Sequence, residues 1–316
     1  MQPWPLSIQS MSRCCSIMET PLQSKTHQGR DLSFDLLQCV REANDMKDKG
    51  NNNKVAIFTY VIAETDTEKH FAVPDIMNFA SYHAAIMSVY AEQNGYLYKF
   101  ITSDMPEGRP DRLEPADVRW NKVKLLIDAL DPTSGWAKDM EYIAWIDADA
   151  IVLDLGLKLE NIMTDQYPEA DFVASADIRQ GYINSGMLLL RNTLWTREFL
   201  QRWWTVADRS NICDQDAFDE LYHLYAVESN QNNNKQYDFN KKIVVLPRDA
   251  LNTDPPATLK LLPHNQVLHL MGESTSYRTA IFGKAFHSIC EARTGGILPA
   301  QLGLHRKLLH DNALRI

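Results

Sequence analysis

Residues 144–154 read "AWIDADAIVLD". An apolar run from Tyr142 to Ile146 leads straight into Asp147 and Asp149, and a second apolar pair, Ile151 and Val152, follows at once. A short continuous apolar run of this kind predicts a buried strand. Burying an unpaired carboxylate costs several kcal/mol or neutralises the group. Two carboxylates one residue apart at a strand's end therefore predict a cation to meet them. In extended backbone, residues i and i+2 project to the same side, so both side chains can face one ligand. A hard divalent ion takes oxygen ligands and keeps open positions for substrate phosphates. The plainer alternative is a capped turn with both carboxylates in water.

Outward from that strand, the chain alternates. "KVAIFTY" (54–60) predicts a first buried strand, and Pro74 to Gly95 predicts a helix with Ile76, Phe79, Ala80, His83, Ile86, Met87 and Tyr90 on its apolar face. On that face His83 reads as a hydrogen-bonded core histidine rather than a ligand. "YLYKFIT" (96–102) is a second strand, "RWNKVKLLIDAL" (119–130) a second helix, and "EYIAWID" the third strand. This order predicts an α/β fold with a mostly parallel, Rossmann-like central sheet flanked by helices. Ligands of such sheets bind beyond the carboxyl ends of strands, where Asp147 and Asp149 stand. Further strands are predicted at 171–177, 185–192, 242–248 and 266–272, and helices at 196–208 and 214–227. Residues 1–53, ending in the polar "NDMKDKGNNNK", read as a tail or linker. One domain is expected over 54–292 and a helical extension over 293–316.

Composition narrows the function. The 316 residues are 45% hydrophobic and 9% aromatic, enough for a packed core. The formal charge is −9 with no basic stripe, which argues against nucleic acid as the main ligand. Five scattered cysteines without a CxxC indicate neither a zinc knuckle nor a disulfide framework; free thiols, or one incidental bridge, are expected. No signal or membrane-spanning stretch is visible, so a soluble chain is expected.

The best partner for the aspartates is His269 in "VLHLMGE", on an apolar run with Gly272 opening the turn behind it. An imidazole nitrogen beside two carboxylates favours manganese, with magnesium as the alternative. Asp214 is also a good helix N-cap in "CDQDAF". Asp177 either bonds a ligand or ends a strand. Of Trp195, Trp203 and Trp204, at least two are expected in the core.

"YIAWIDADAIVLD", "INSGMLLLRNTLWTREFLQRWW", "DQDAF" and "HLMG", in this order and spacing, resemble glycosyltransferase family 34 across roughly residues 54–290. The glycogenin-like family 8 is a close neighbour. The resemblance implies a GT-A fold and a retaining, manganese-dependent transferase using a nucleotide-diphosphate sugar, with UDP-sugars favoured and GDP-mannose as the alternative. The acceptor would be a glycan or glycoconjugate hydroxyl. It also implies roles for single residues. Asp147 lies near the donor's ribose and metal, and Asp149 and His269 hold the metal. Lys122 lies on the nucleotide side, Asn184, Ser185 and Gly186 line the sugar pocket, and Asp214 and Gln215 stand close to the transferred sugar. Glu273 stands where relatives often carry a cysteine. The family's compartment is the Golgi lumen; the visible sequence, taken as complete, points to the cytoplasm.

Two rivals fit part of the pattern. A haloacid-dehalogenase-like phosphotransferase also places Asp-x-Asp after an apolar strand, but its motif sits on the first strand and a Thr or Val usually follows where Ile151 stands. An inactive sugar-nucleotide-binding relative would keep the fold without turnover. Donor sugar, acceptor, linkage and oligomeric state are not written in the sequence.

Overall fold

The computed structural model describes residues 54–62, 79–103, 118–207, 212–232, 239–253 and 266–293. The predicted tail, the C-terminal extension beyond Arg293 and the first residues of the Pro74 helix lie outside these ranges. The strands are β1 (Val55–Ile62), β2 (Leu97–Ser103), β3 (Tyr142–Ile146), β4 (Ala150–Val152), β5 (Phe172–Ala176), β6 (Ile183–Arg191), β7 (Ile243–Leu246) and β8 (Val267–His269). The longer helices are α1 (Phe79–Asn94), α2 (Asn121–Ala129), α3 (Leu194–Val206), α4 (Asp214–Asn232) and α5 (Thr275–Arg293).

Six strands form one sheet in the order β2-β1-β3-β6-β5-β7, and β4 pairs with β8 in a second, two-stranded sheet. The β1–β2, β1–β3 and β5–β7 pairings are parallel. The sheet is mixed, mostly parallel as expected, with strand β6 running antiparallel to both β3 and β5. The short Asp177–Tyr182 turn sends the chain straight back beside β5, which only an antiparallel neighbour allows.

Each central strand is buried on both faces, which is why it reads as an unbroken apolar run. Ile143 and Trp145 of β3, with Leu188 and Leu190 of β6, pack under α2, α3 and α4 through Leu126, Phe199, Trp203 and Phe218. Tyr142, Ala144 and Ile146, with Met187 and Leu189, face the other way toward Ala84, Met87 and Tyr90 of α1. Fully burying one such side chain is worth about 1.5–3 kcal/mol. Trp203 is fully buried, and Trp195 and Trp204 pack against the same core, as expected.

Helix α5 was not anticipated as a helix. It covers the outer side of α1, with Ile281, Phe282 and Phe286 against Ile86 and Val89. Helix α1 is therefore apolar around most of its circumference, as a sandwiched helix must be. Cys213 is a free thiol and Cys290 is disulfide-bonded. No helix among the described residues is long and apolar enough to cross a membrane.

Candidate metal centre

The Asp147–Asp149 pair sits in a tight turn between β3 and β4, not in extended backbone as the sequence reading assumed. The Ala150 N–H donates back to the Asp147 carbonyl at 2.9 Å, and the Asp147 N–H donates to the Gly186 carbonyl at 2.7 Å. The Leu270 N–H, just past β8, donates to the Asp149 carbonyl at 2.8 Å. The turn is thus pinned to β6 on one side and to β8 on the other, and β8 carries His269.

A brace holds the turn from behind. His83 is fully buried, and its Nδ1–H donates to the Ala150 carbonyl at 2.6 Å. The Thr59 hydroxyl donates to the Ile146 carbonyl at 2.8 Å and lies 2.9 Å from His83 Nε2, so one hydroxyl ties the ring to the end of β3. Burial pulls the His83 imidazole down to about 4, so the ring is neutral near pH 7. The reading of His83 as a satisfied core histidine holds.

Asp147, Asp149 and His269 each offer a ligand atom, and these atoms lie within 4.8 Å of one another. The tautomer of His269 follows from its second partner. The Asn252 amide donates to the Ala176 carbonyl at 3.3 Å, which turns its Oδ1 toward His269 Nδ1 at 2.9 Å. Nδ1 therefore donates, and Nε2 faces Asp149 Oδ1, 3.1 Å away. Two acceptors at that distance need a proton or a metal ion between them. A neutral imidazole nitrogen and two carboxylates fit a divalent cation of the manganese type.

Gly186 makes room for this ring. A Cβ there would stand 2.2 Å from His269 Cε1 and 3.0 Å from His269 Nδ1. The glycine is needed because an imidazole fills the space over the strand. Gly272 has φ +68°, the left-handed region that turns the chain away after His269.

Lys122 lies behind the carboxylates on α2. Its Nζ reaches Asp147 at 3.3 Å and Asp214 at 3.1 Å, and donates to the Ser185 carbonyl at 2.9 Å. Burial works to lower the ammonium, but Asp147 and Asp214 outweigh it and hold the group above the usual lysine value. Burial also raises Asp147, and the neighbouring Asp149 adds to it against the pull of Lys122. Asp149 goes the other way. Burial would raise it, but His269 and Arg278 hold it below the ordinary carboxylate value.

The Asp-Gln pair opens α4. Trp120 Nε1 donates to the Ile212 carbonyl at 3.0 Å and Trp203 Nε1 to the Asp214 carbonyl at 2.9 Å, so two core indoles fix where this helix begins. The Asp214 carboxylate is buried and turned inward, accepting from the Ser185 hydroxyl at 3.1 Å besides pairing with Lys122. Gln215 is only half buried. Its Nε2 donates to Asp177 Oδ2 at 2.9 Å, and Asn184 Nδ2 donates to the same oxygen at 3.1 Å. Asp177 would be raised by burial, but the Arg179 N–H, Asn184 and the Arg179 side chain hold it low. It ends β5 and also anchors this network.

Every residue singled out from the sequence for this site falls into one of these three linked groups. Two contributors escaped the sequence reading. Arg278, in the first turn of α5, donates to Asp149 Oδ2 at 2.7 Å and to the Leu270 carbonyl at 3.0 Å. Asn252 orients His269. The only signal for Arg278 was a lone arginine six residues beyond Gly272, and Asn252 carried none.

No family model matches the chain. A stretch of 84 residues is 29% identical to probable glycosyltransferase 3 of rice, in both the indica and japonica subspecies of Oryza sativa. That match takes in 24% of this chain and 18% of the rice protein's length. Among solved structures, a glycosyltransferase involved in the glycosylation of the major capsid of PBCV-1 superposes with a TM-score of 0.47 at 12% identity, covering 73% of this chain and 98% of that one. The glycosyltransferase GlyE of Streptococcus pneumoniae TIGR4 superposes with a TM-score of 0.39 at 13% identity, over 76% of this chain and 62% of that one.

Proposed function

We propose that the chain is a metal-dependent, retaining glycosyltransferase of GT-A type. It takes a hexosyl or pentosyl group from a nucleotide-diphosphate sugar, UDP-linked or alternatively GDP-mannose, to a carbohydrate or glycoconjugate hydroxyl. The observation that carries this reading is the cluster of Asp147, Asp149 and His269 ligand atoms within 4.8 Å of one another, with an amide-lined network next to it. The stretch of similarity to the rice protein supports the same class.

A divalent cation held by Asp147, Asp149 and His269 would supply Lewis-acid stabilisation of the departing diphosphate. The protein's own groups do the rest. Lys122 and Asp214 are a positioning pair: they are buried and paired with each other, Lys122 reaches Asp147, and both hold the Ser185 segment. The pairing of Asp214 with Lys122 favours a front-face transfer over a double displacement through Asp214. Gln215, the half-buried member of its network, faces the sugar, with Asn184 and Asp177 locking its amide. In the transfer, the bond from the anomeric carbon to the phosphate oxygen breaks and its electron pair leaves with the diphosphate. The acceptor oxygen bonds to the same face, and its proton passes to the leaving phosphate oxygen.

A thermal-shift panel of UDP, GDP, UDP-galactose, UDP-xylose, UDP-glucose and GDP-mannose, with and without manganese, tests this on wild type and Asp149→Ala. Stabilisation by one nucleotide family, only with manganese and lost in the variant, is the expected result. No nucleotide response, with hydrolysis of simple phosphate esters, would replace the reading by a phosphotransferase. Manganese-dependent binding without transfer to any saccharide would leave a sugar-nucleotide-binding relative.

A further inference from the structure

The outer face of α4 and the β5–β6 turn border an open hollow that the donor-side network does not use. It is a surface depression of about 690 Å³ lined by Arg179, Tyr182, Asp216, Asp219, Glu220 and Leu224 among others. That volume lies within the roughly 300–1,000 Å³ of small-molecule sites. Tyr182 is 40% exposed, Leu224 49%, and Ile178 of the same turn 62%. Among the described residues only Leu194 is another large apolar side chain so exposed. Exposed apolar surface is thus concentrated at this one place.

The hollow is tied to the site by one carboxylate. Asp177 Oδ1 holds the Arg179 guanidinium at 3.2 Å, while Oδ2 accepts from Gln215 and Asn184. Arg179 also pairs with Asp216 at 3.0 Å and lies 4.2 Å from the centre of the Tyr182 ring. The aromatic wall is therefore held in place by the residue that borders the sugar network. Asp219 is anchored too, accepting from the Ile183 N–H at 3.1 Å.

The charge of the lining excludes one ligand class. Asp216, Asp219 and Glu220 outnumber Arg179 and His223 even when the histidine is protonated. An anion, including a nucleotide diphosphate or a uronic acid, meets net repulsion. A neutral saccharide suits the lining, with its C–H faces against Tyr182 and Leu224 and its hydroxyls donating to the carboxylates.

We propose that this pocket is the acceptor subsite and holds a non-reacting ring of a neutral oligosaccharide. The next ring along reaches over Asp177 and Gln215 to the transferred sugar. The inference rests on the transferase reading above. It is tested by saturation-transfer NMR with lactose, cellobiose, xylobiose, mannobiose and digalacturonic acid, each with and without UDP and manganese. The proteins are wild type, Tyr182→Ala and Glu220→Gln. Both substitutions are at the surface, so unchanged melting temperatures establish folding. Binding of at least one neutral disaccharide, weakened tenfold or more by Tyr182→Ala and absent for digalacturonic acid, is expected, with the manganese-dependent UDP shift the same in all three. Neutral saccharides binding equally to all three proteins would overturn the proposal. So would binding of none of them to a wild type that responds to UDP and manganese. Tyr182-dependent saccharide binding without any nucleotide response would uphold the pocket and sink the transferase reading instead.

Discussion

The central sheet buries aspartates at two edges, and the two are handled differently. Just before β5, Asp171 is almost fully buried, with Lys242 at 2.8 Å and Arg191 at 3.9 Å. One carboxylate there meets two cations that reach in from partly exposed positions. At the other edge Asp147, Asp149 and Asp214 share Lys122 and Arg278, and the imidazole nitrogen beside Asp149 needs a proton or a metal ion to join it to the carboxylate. The first cluster has more positive than negative charge and explains itself as structure. The second sets three carboxylates against two permanent cations, and it opens toward the network around Gln215. A buried aspartate points to a ligand only when the protein leaves its charge uncompensated.

Removing Asp149 should break the contrast most severely. Asp149→Ala is expected to lower transfer by about a thousandfold and to abolish the manganese-dependent nucleotide shift, read by product formation and by melting. Lys122→Met comes next. It strands two buried carboxylates, so urea denaturation should show a loss of about 3–5 kcal/mol. His83 sharpens the comparison through pH. Its folded value of about 4 lies below its ordinary 6.5, so the unfolded chain binds the extra proton first. Stability should fall as pH drops from 6.5 toward 4 by about 3 kcal/mol, and His83→Gln should flatten that part of the stability–pH curve.

Gly186→Ala acts through the His269 ring. The added methyl would stand 2.2 Å from His269 Cε1 and displace the ring, so manganese affinity, read by titration calorimetry, should weaken by about tenfold or more, with a loss of about 1–3 kcal/mol in urea. The compensated edge supplies the control. Asp171→Asn should cost about 1–2 kcal/mol in urea, discounted because its partners are partly solvated, and leave the manganese-dependent nucleotide shift as in wild type.

Much of this was legible beforehand for identifiable reasons. Strands β1, β3 and β6 are buried on both faces, so hydrophobicity alone marked them. His83 lay on a helical apolar stripe, which predicted its burial. The direction of β6 was hidden, because an apolar run looks the same whichever way it pairs. Helix α5 was hidden too, since its apolar face is diluted by Arg278, Lys284 and His287. Asp214 was ambiguous for a different reason: a helix-opening aspartate reads identically whether its carboxylate caps the helix or, as found, turns inward to Lys122.

From the sequence alone came the α/β alternation, the strand that ends in two aspartates and the candidate partners in chain order, because burial and spacing are local properties of the chain. Only the tertiary structure decided that the pair sits in a turn clamped by Thr59 and His83, that Asn252 orients the His269 ring toward Asp149, and that Lys122 serves Asp147 and Asp214 together. Those contacts join residues up to 120 positions apart, as His269 and Asp149 show. Their geometry is set by how the layers pack, which no local pattern in the chain encodes.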